Sequence, residues 1–217
     1  MDHDPAFTSP PYELRSERLL LRCWQPADAK LLKEAVDSSL EHLRPWMPWA
    51  HDEPQSLPAK AELLRTFRGR FDLGQDFVYG AFEPDETRVL GGCGLHPRSG
   101  PGTLEIGYWI RADSLRQGYA RELTSMLAVA AFRICSVERL DVIVDPANAA
   151  SAGIPRSLGF REEAVLRRHL PPGRDGEQRR DGLLFTMVDG EFAQSALAKL
   201  ELDAVDCSGA STRLGPG

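Results

Sequence analysis

The sequence lacks the features that mark secreted, membrane and metal-binding proteins. Its four cysteines form no CxxC pair, and three of them lie in apolar runs, which predicts buried free thiols in a reducing cytoplasm. The histidines show no ligand spacing, so no metal site is predicted. No apolar run approaches the length of a membrane span, and the N-terminal sequence MDHDPAFTSPP is acidic and lacks the apolar core of a signal peptide. We therefore expect a soluble, cytoplasmic protein.

The chain also lacks an excess of positive charge. Its 32 acidic and 26 basic residues give a net charge of −6, which argues against a general nucleic-acid binder. With 217 residues and 42% hydrophobic content, it is long and apolar enough for one well-packed domain. We expect a flexible leader over residues 1–12, a single domain over 13–203 and a disordered tail over 204–217.

The most informative stretch is Thr103–Ala120, TLEIGYWIRADSLRQGYA. It begins with alternating residues that predict a strand, with Leu104, Ile106, Tyr108 and Ile110 on one face and Glu105, Gly107 and Trp109 on the other. A turn around Gly118 follows, and then an apolar helical pattern. The start of a helix offers unpaired backbone N–H groups at the positive end of its dipole, and glycine lets the backbone approach a phosphate. The stretch therefore predicts an anion site, although an ordinary strand-to-helix turn is the alternative.

The remaining pattern predicts alternating strands and helices. Strands are expected at 18–24, 77–82, 89–95, 140–144, 162–169 and 182–188, and helices at 26–38, 40–46, 56–72, 118–134, 149–158 and 190–200. Gly91–Gly94 lacks the Lys-Ser/Thr of a phosphate loop, so it is predicted to lie in a strand. This order of elements is typical of an α+β protein with a layered sheet.

A second stretch, Asp145–Phe160 (DPANAASAGIPRSLGF), adds specificity. Together the two stretches resemble the GNAT superfamily of acyl-CoA-dependent N-acyltransferases, and most closely its RimJ/RimL-like branch. The resemblance spans roughly residues 12–190, and the features that carry it are Glu105–Ile110, Gln117–Ala120, Asn148 with Ser151, and Leu158–Phe160. It implies a GNAT-like α+β fold, in which a central, mostly antiparallel and partly splayed sheet is flanked by helices.

The resemblance implies a binding site for acetyl-CoA. Backbone N–H groups of Gln117, Gly118, Tyr119 and Ala120 would hold the pyrophosphate, Arg116 and Arg121 would add charge, and Ile110 would border the site. Asn148 would bind the pantetheine amides, and Ser151 would give its proton to the CoA sulfur. Leu115 occupies the position where the family pattern has Gln or Arg, so a side-chain contact there is lost. In the alternative interpretation, Asn148 is only a helix N-cap and Ser151 a small helical residue.

The general base is the least defined assignment. The RimL-like branch implicates a glutamate on the strand after the Gly-Phe pair, but the corresponding neighbourhood here is Arg168-His169-Leu170. The two candidates are Glu105, which we favour narrowly, and His169, whose ordinary pKa suits a base. The alternatives are that Glu105 is a hydrogen-bonding group of the sheet and His169 a surface residue.

The acceptor is expected to bind between the first helices and the loop at 171–181. Trp46, Met47 and Trp49 would wall this site, with His42 and His51 nearby, or else serve as core or dimer contacts. A basic cluster would face either solvent or an acidic peptide, acyl group or CoA phosphate; it comprises Arg167, Arg168, Arg174, Arg179 and Arg180.

These observations predict an N-acetyltransferase that uses acetyl-CoA. No cysteine falls in either motif, so direct attack of a primary amine on the thioester is favoured over a covalent acyl-enzyme. A protein N-terminal amine is the first candidate acceptor, and a small-molecule amine such as an antibiotic or polyamine is the second. Use of succinyl-CoA and a non-catalytic acyl-CoA-binding module remain alternatives, and the resemblance also allows a homodimer.

Overall fold

The computed structural model describes residues 7–173 and 178–215. Its strands are β1 Glu13–Arg15, β2 Leu20–Cys23, β3 Phe77–Phe82, β4 Val89–His96, β5 Thr103–Ile110, β6 Arg139–Val144, β7 Arg161–Leu170, β8 Arg180–Val188, β9 Leu202–Val205 and β10 Ser211–Leu214. Its helices are α1 Ala29–Asp37, α2 Leu40–Leu43, α3 Leu57–Asp72, α4 Tyr119–Arg133, α5 Ala149–Ser157 and α6 Asp189–Gln194.

All ten strands belong to one mixed sheet, in the order β10-β9-β1-β2-β3-β4-β5-β6-β8-β7. Neighbouring strands are antiparallel except for β5 and β6, which are parallel. The pairing of β5 with β6 runs only from Thr103 opposite Arg139 to Ile106 opposite Val142, and beyond it the strands part. The expected α+β fold, with a mostly antiparallel and partly splayed sheet flanked by helices, is confirmed.

Helices cover both faces of the sheet because the strands alternate apolar residues toward each face. The larger core joins α4 to β5, for example through Leu127 and Ile106. The smaller core packs α1 and α3 against β2 and β3, with Leu32 and Leu64 beside Trp24. Each large apolar side chain buried in this way contributes on the order of 1.5–3 kcal/mol to folding.

Most predicted elements are confirmed to within one or two residues. β3 has the predicted bounds, and the glycine-rich Gly91–Gly94 lies within β4 as expected. Ser56 caps α3, since its hydroxyl accepts a hydrogen bond from the Ala59 backbone N–H at 3.3 Å.

One predicted strand has an unpredicted partner, and one predicted helix is divided. The first strand, expected over 18–24, is found as β2, and it pairs with the short strand β1, which the sequence did not predict. The closing helix, expected over 190–200, ends as α6 at Gln194, because Ser195 is extended and its hydroxyl accepts from the Leu197 N–H of a following 3-10 turn.

The two ends of the domain also differ from expectation. Instead of a disordered tail, β9 and β10 form a hairpin that pairs with β1, with Leu14 opposite Ala204. Its turn is organised by the Asp206 carboxylate, which accepts from the N–H groups of Ser208 and Ala210. In the leader, Phe7 packs edge-on against Phe77. Positions 1–6, 216 and 217 lie outside the described residues.

The cysteines have the state that the sequence predicts. Cys23, Cys93 and Cys135 are buried free thiols, and Cys207 is exposed and free. Burial raises the pKa of Cys135 to about 12, so its thiol stays protonated at neutral pH. Within residues 7–173 and 178–215, no helix combines the length and apolarity that crossing a membrane would require.

Candidate active site

Two cavities meet where β5 and β6 part. The first, of about 480 Å³, is lined by the turn that leads into α4, and we call it the turn cavity. The second, of about 560 Å³, is lined by Trp24, Trp46, Trp49 and Trp109, and we call it the tryptophan cavity. Both are lined by Trp46, Met47, Tyr108, Trp109, Asn148 and Ser151, so these residues stand at their common boundary.

The turn cavity ends at the first turn of α4. Gly118 caps this helix with φ +86°, a left-handed conformation that favours glycine. The Glu122 N–H donates to the Gly118 carbonyl at 3.0 Å, so the N–H groups of Tyr119, Ala120 and Arg121 precede the first intrahelical bond. Arg116 adopts φ +59°, which is uncommon for a residue with a Cβ. The backbone is therefore shaped to present N–H groups to an anion.

Most of the residues predicted to bind the cofactor line this cavity, namely Ile110, Arg116, Gly118, Tyr119, Ala120, Arg121, Asn148 and Ser151. Gln117 is the exception, since its amide donates to the Asp113 carbonyl at 3.3 Å within the turn. Leu115 also lines the cavity, so the position that departs from the family pattern supplies an apolar contact.

Arg18 braces the turn and was not singled out from the sequence. Its guanidinium donates to the Gln117 carbonyl at 3.2 Å and to the Glu122 carboxylate at 2.6 Å. It also lies 4.8 Å from the ring centre of Tyr119. Arg18 thereby ties the β1–β2 hairpin to the start of α4.

Two hydroxyls meet at the boundary of the cavities. The Tyr108 and Ser151 hydroxyl oxygens are 3.1 Å apart, and the Tyr108 hydroxyl also lies 3.1 Å from the Ser151 carbonyl. Burial raises the pKa of Tyr108 to about 12, against a smaller opposing effect of the Ser151 hydrogen bond. Tyr108 is therefore a protonated donor at neutral pH. The sequence placed it on the same strand face as Leu104 and Ile106 but gave it no role.

Asn148 serves as the N-cap that the sequence predicted. Its Oδ1 accepts from the Ser151 backbone N–H at 3.1 Å, which fixes the start of α5. Asn148 lines both cavities, so capping does not remove it from the site. The structural and the functional interpretations of this residue are compatible.

The aromatic residues predicted for the acceptor site line the tryptophan cavity. Trp49 packs edge-on against Trp109, with ring centres 6.0 Å apart. The flanking histidines differ from expectation. His42 lines the turn cavity, where burial lowers its pKa, and His51 is exposed and belongs to neither cavity as the described residues define them.

A buried ion pair lies beside these aromatic walls. The Lys60 ammonium contacts the Glu53 carboxylate, and their side chains are only 1% and 3% exposed. The second Glu53 oxygen accepts from the Gln55 N–H at 2.8 Å, so the carboxylate is well satisfied. The pair fastens the segment before α3 to the helix itself, at the edge of the tryptophan cavity.

Arg180 connects three chain segments around the same cavity. Its guanidinium donates to the Asp145 carboxylate at 2.8 Å and to the carbonyls of Pro45 and Trp46 at 3.2 and 3.3 Å. It therefore holds the Pro45–Trp46 segment against the ends of β6 and β8. The predicted basic cluster is divided as a result, because Arg180 points inward.

The other members of that cluster serve the edge of the sheet or face solvent. Arg179 donates to the carbonyls of Arg168 and His169, and Arg167 is exposed. Arg174 lies outside the described residues.

The two candidate bases have different surroundings. Glu105 lines the tryptophan cavity with its side chain 16% exposed, and its Oε1 lies 4.0 Å from Arg98 Nη1. His169 is exposed near the end of β7 and lines neither cavity as the described residues define them. The expectation that His169 stands near the reacting groups is therefore corrected, and Glu105 remains at the site.

A third titratable group faces the tryptophan cavity. The His96 Nδ1 lies 2.5 Å from the Asp76 carboxylate, and both residues line the cavity. In the sequence, His96 is one of several scattered histidines. A usable signal was present, because the predicted hairpin of 77–82 with 89–95 brings Asp76 beside His96.

Comparison with known proteins assigns the family. The model of the acetyltransferase (GNAT) domain matches residues 18–161. The N-acetyltransferase YoaA of Bacillus subtilis (strain 168) is 25% identical over 158 residues, covering 72% of this chain and 87% of that protein. The [ribosomal protein uS5]-alanine N-acetyltransferase of Escherichia coli (strain K12) is 24% identical over 166 residues, covering 74% and 84%.

A solved structure has the same fold. Mycobacterium smegmatis RimJ, in complex with a CoA disulfide, superposes with a TM-score of 0.72 at 23% identity, covering 89% of this chain and 93% of that one. At this identity the likeness concerns the fold.

Proposed function

Because the chain belongs to the GNAT acetyltransferase family and is thus an acyl-CoA-dependent acetyltransferase, we propose that it transfers the acetyl group of acetyl-CoA to a primary amine by direct attack. The observation that carries the proposal is the meeting of the two cavities at Tyr108 and Ser151. One cavity offers a site for an anionic donor and the other a site for an acceptor, and the paired hydroxyls stand between them.

The turn cavity fits the donor. Free N–H groups at the start of α4 suit a pyrophosphate, and Arg116 and Arg121 add positive charge beside them. Gly118 adopts its positive φ without steric cost and leaves the backbone at the start of α4 without a side chain. Asn148, which lines both cavities, is proposed to bind the pantetheine amides. When bound, acetyl-CoA supplies the thioester that the amine attacks.

Ser151 and Tyr108 are proposed to serve the leaving group. Tyr108 stays protonated at neutral pH and is within hydrogen-bonding distance of the Ser151 hydroxyl. Either hydroxyl can pass a proton toward the departing thiolate, with the other one orienting it. Buried cysteines take no part, because burial holds Cys93 and Cys135 in the thiol form.

The tryptophan cavity is the proposed acceptor site. Its aromatic walls and its carboxylates, Glu105 and Asp52 among them, suit an amine carried on a partly apolar group. A protein N-terminal amine is the first candidate, supported by the similarity to the ribosomal-protein uS5 alanine N-acetyltransferase of E. coli. A small-molecule amine such as an antibiotic or polyamine is the second.

The donor is tested by thermal denaturation with acetyl-CoA, succinyl-CoA and free CoA. A ligand that binds only the folded protein raises the midpoint, and we expect a clear rise with acetyl-CoA. A larger rise with succinyl-CoA would favour that donor instead. The absence of a rise with all three ligands at saturating concentration would overturn the assignment of the turn cavity.

The acceptor is tested by mass spectrometry with a panel of peptides and small amines. Acetylated peptide N-termini are the expected product, whereas products from polyamines or aminoglycosides alone would select the second candidate. Binding of acetyl-CoA without any acetylated product would instead support a non-catalytic acyl-CoA-binding module.

A further inference from the structure

We propose that His96, oriented by Asp76, is the base that accepts the proton of the attacking amine. This proposal rests on the proposed acetyl transfer and deepens it. It departs from the sequence analysis, which favoured Glu105 and considered His169. It is carried by the geometry of His96, by two glycines beneath its ring and by its place where β5 and β6 part.

The hydrogen bond to Asp76 fixes the tautomer of the imidazole. The His96 Nδ1 and the Asp76 Oδ1 are 2.5 Å apart. An ionised carboxylate only accepts hydrogen bonds, so Nδ1 carries the proton of the neutral ring and Nε2 keeps its lone pair. A histidine held in this way by a carboxylate is a common arrangement for a general base.

Two glycines make room for the ring. A Cβ on Gly94 would lie 2.8 Å from the His96 Cε1 and Nε2, and a Cβ on Gly107 would lie 3.2 Å from Nε2. The imidazole therefore lies over adjacent strands at positions where a larger residue would displace it. Its side chain is 12% exposed, so it is largely shielded from solvent but open to the tryptophan cavity.

The same contacts place Nε2 near the proposed reaction site. Gly107 is the first residue of β5 beyond the last pair with β6, Ile106 and Val142. Nε2 thus stands above the point where the strands part. The cavity that His96 lines is also lined by Tyr108 and Ser151, which line the turn cavity as well.

The surroundings of Asp76 favour its ionised form. Burial raises the pKa of Asp76, but the hydrogen bond from His96 and the nearby positive charges outweigh burial, so that pKa lies below its usual value. Asp76 therefore stays ionised throughout the range in which a histidine titrates.

Other charged groups around this part of the cavity come from several elements. They are Arg98 after β4 and Arg70 on α3, which both lower the pKa of Asp76, together with Glu105 on β5 and the mutually paired Glu53 and Lys60. Glu105 lies on the strand position opposite His96 and is close to Arg98, which suits it to attract and orient the amine.

The protons balance if the amine binds in its neutral form. Its nitrogen forms a bond to the thioester carbonyl carbon, and its proton passes to Nε2 of His96. The carbon–sulfur bond breaks, and the thiolate takes a proton from the Tyr108–Ser151 hydroxyl pair. The proton on His96 then returns to that pair through solvent, so the exchange yields amide and CoA thiol with no net gain of protons.

The main test compares four variants, with an alanine-initiated peptide amide and acetyl-CoA as first probes. We expect His96→Gln to lower kcat by about 100-fold or more and to remove the fall in rate at acid pH. Asp76→Asn should lower kcat less than His96→Gln does, because the imidazole remains and only its orienting carboxylate is lost. The exposed His169→Gln is the matched control and should leave the acid limb intact. Glu105→Gln should mainly raise the KM of the amine.

Two further measurements support the test. The first does not depend on activity, and the second distinguishes loss of the imidazole from misfolding. Nitrogen-15 NMR of the imidazoles should show the Nδ1–H tautomer of His96 in the wild type and its loss in Asp76→Asn. His96→Ala leaves a gap above Gly94 and Gly107, so added imidazole should restore part of its activity. Calorimetry should show unchanged acetyl-CoA affinity in all variants. This result would exclude damage to the proposed donor site as the cause of a lower rate.

Distinct outcomes would overturn the two proposals. A wild type that binds acetyl-CoA but acetylates no amine in the panel overturns the proposed function and this inference together. Wild-type turnover with an unchanged rate and acid limb in His96→Gln overturns the inference alone. An Nε2–H tautomer in the wild type, or loss of the acid limb in Glu105→Gln but not in His96→Gln, also overturns it.

Discussion

The turn cavity and the tryptophan cavity are built from different kinds of atoms. The turn cavity depends on backbone N–H groups at the start of α4 and on one left-handed glycine, Gly118. The tryptophan cavity depends on side chains brought together from α1, α3, β4, β5 and the segments between them. A short stretch of backbone is enough to form the proposed donor site, whereas the proposed acceptor site requires side chains from several distant segments.

The two cavities should therefore differ in their sensitivity to substitutions. The turn cavity should resist the loss of single side chains but not a change of backbone at Gly118. The tryptophan cavity should depend on the ion pairs that hold its segments in place, above all Lys60 with Glu53 and Arg180 with Asp145.

The largest effect is expected from Lys60→Met. It leaves the buried Glu53 carboxylate without its partner, which should lower the free energy of unfolding by about 3–5 kcal/mol. Lys30→Met, at an exposed position of α1, is the matched control and should have little effect. Chemical denaturation measures both. Glu53→Gln combined with Lys60→Met should recover part of the loss, and a Lys60→Met loss no larger than that of the control would contradict the role of the pair.

Gly118→Asp should have the next largest effect, and on the donor only. A Cβ is strained at φ +86°, and a carboxylate at the start of α4 repels phosphates, so acetyl-CoA affinity should fall by about 100-fold. Gly190→Asp adds the same side chain at a glycine with open space around it. Isothermal calorimetry should find wild-type affinity in that control. Equal affinities in the two variants would show that the turn does not bind the donor.

Ser151→Ala probes the boundary between the cavities. We expect kcat to fall by roughly 10- to 100-fold, with acetyl-CoA affinity unchanged, because a proton donor is lost but no phosphate contact. Tyr108→Phe should act similarly, and the double variant should be less than additive because the hydroxyls share one hydrogen bond. Ser157→Ala, at the exposed end of α5, is the control. Undiminished turnover would remove Ser151 from the mechanism.

The contrast between the cavities also explains what the sequence revealed. The strand, turn and helix around Gly118 are contiguous, so alternation and a glycine were enough to predict an anion site there, which the resemblance to the GNAT superfamily extended to acetyl-CoA. Asn148 and Ser151 are close in sequence, and their spacing at a helix start was informative as well. The fold followed from the same local patterns, except where polar turns hid short strands such as β9 and β10.

The tryptophan cavity, which is the proposed acceptor site, was less predictable from the sequence because its contacts join distant segments. Nothing local links Arg180 to Trp46, or Lys60 to Glu53 across Pro54, so their partners emerge only from packing. His96 is intermediate. The predicted hairpin placed it beside Asp76, but the space above Gly94 and Gly107 depends on how β4 pairs with β5.

The smallest effect is expected from Arg180→Lys. Lysine keeps a positive charge for Asp145 but loses the planar fork that reaches the carbonyls of Pro45 and Trp46. Loosening that segment should raise the KM of the amine by about tenfold, a cost in line with one or two hydrogen bonds. Arg167→Lys, on the exposed edge strand, should change nothing. Steady-state kinetics measures the KM of the amine, and calorimetry measures the affinity for acetyl-CoA. Both are needed because Trp46 lines both cavities. A matching loss of acetyl-CoA affinity would mean that this segment serves the donor as much as the acceptor, and the division between the two cavities would no longer hold at Trp46.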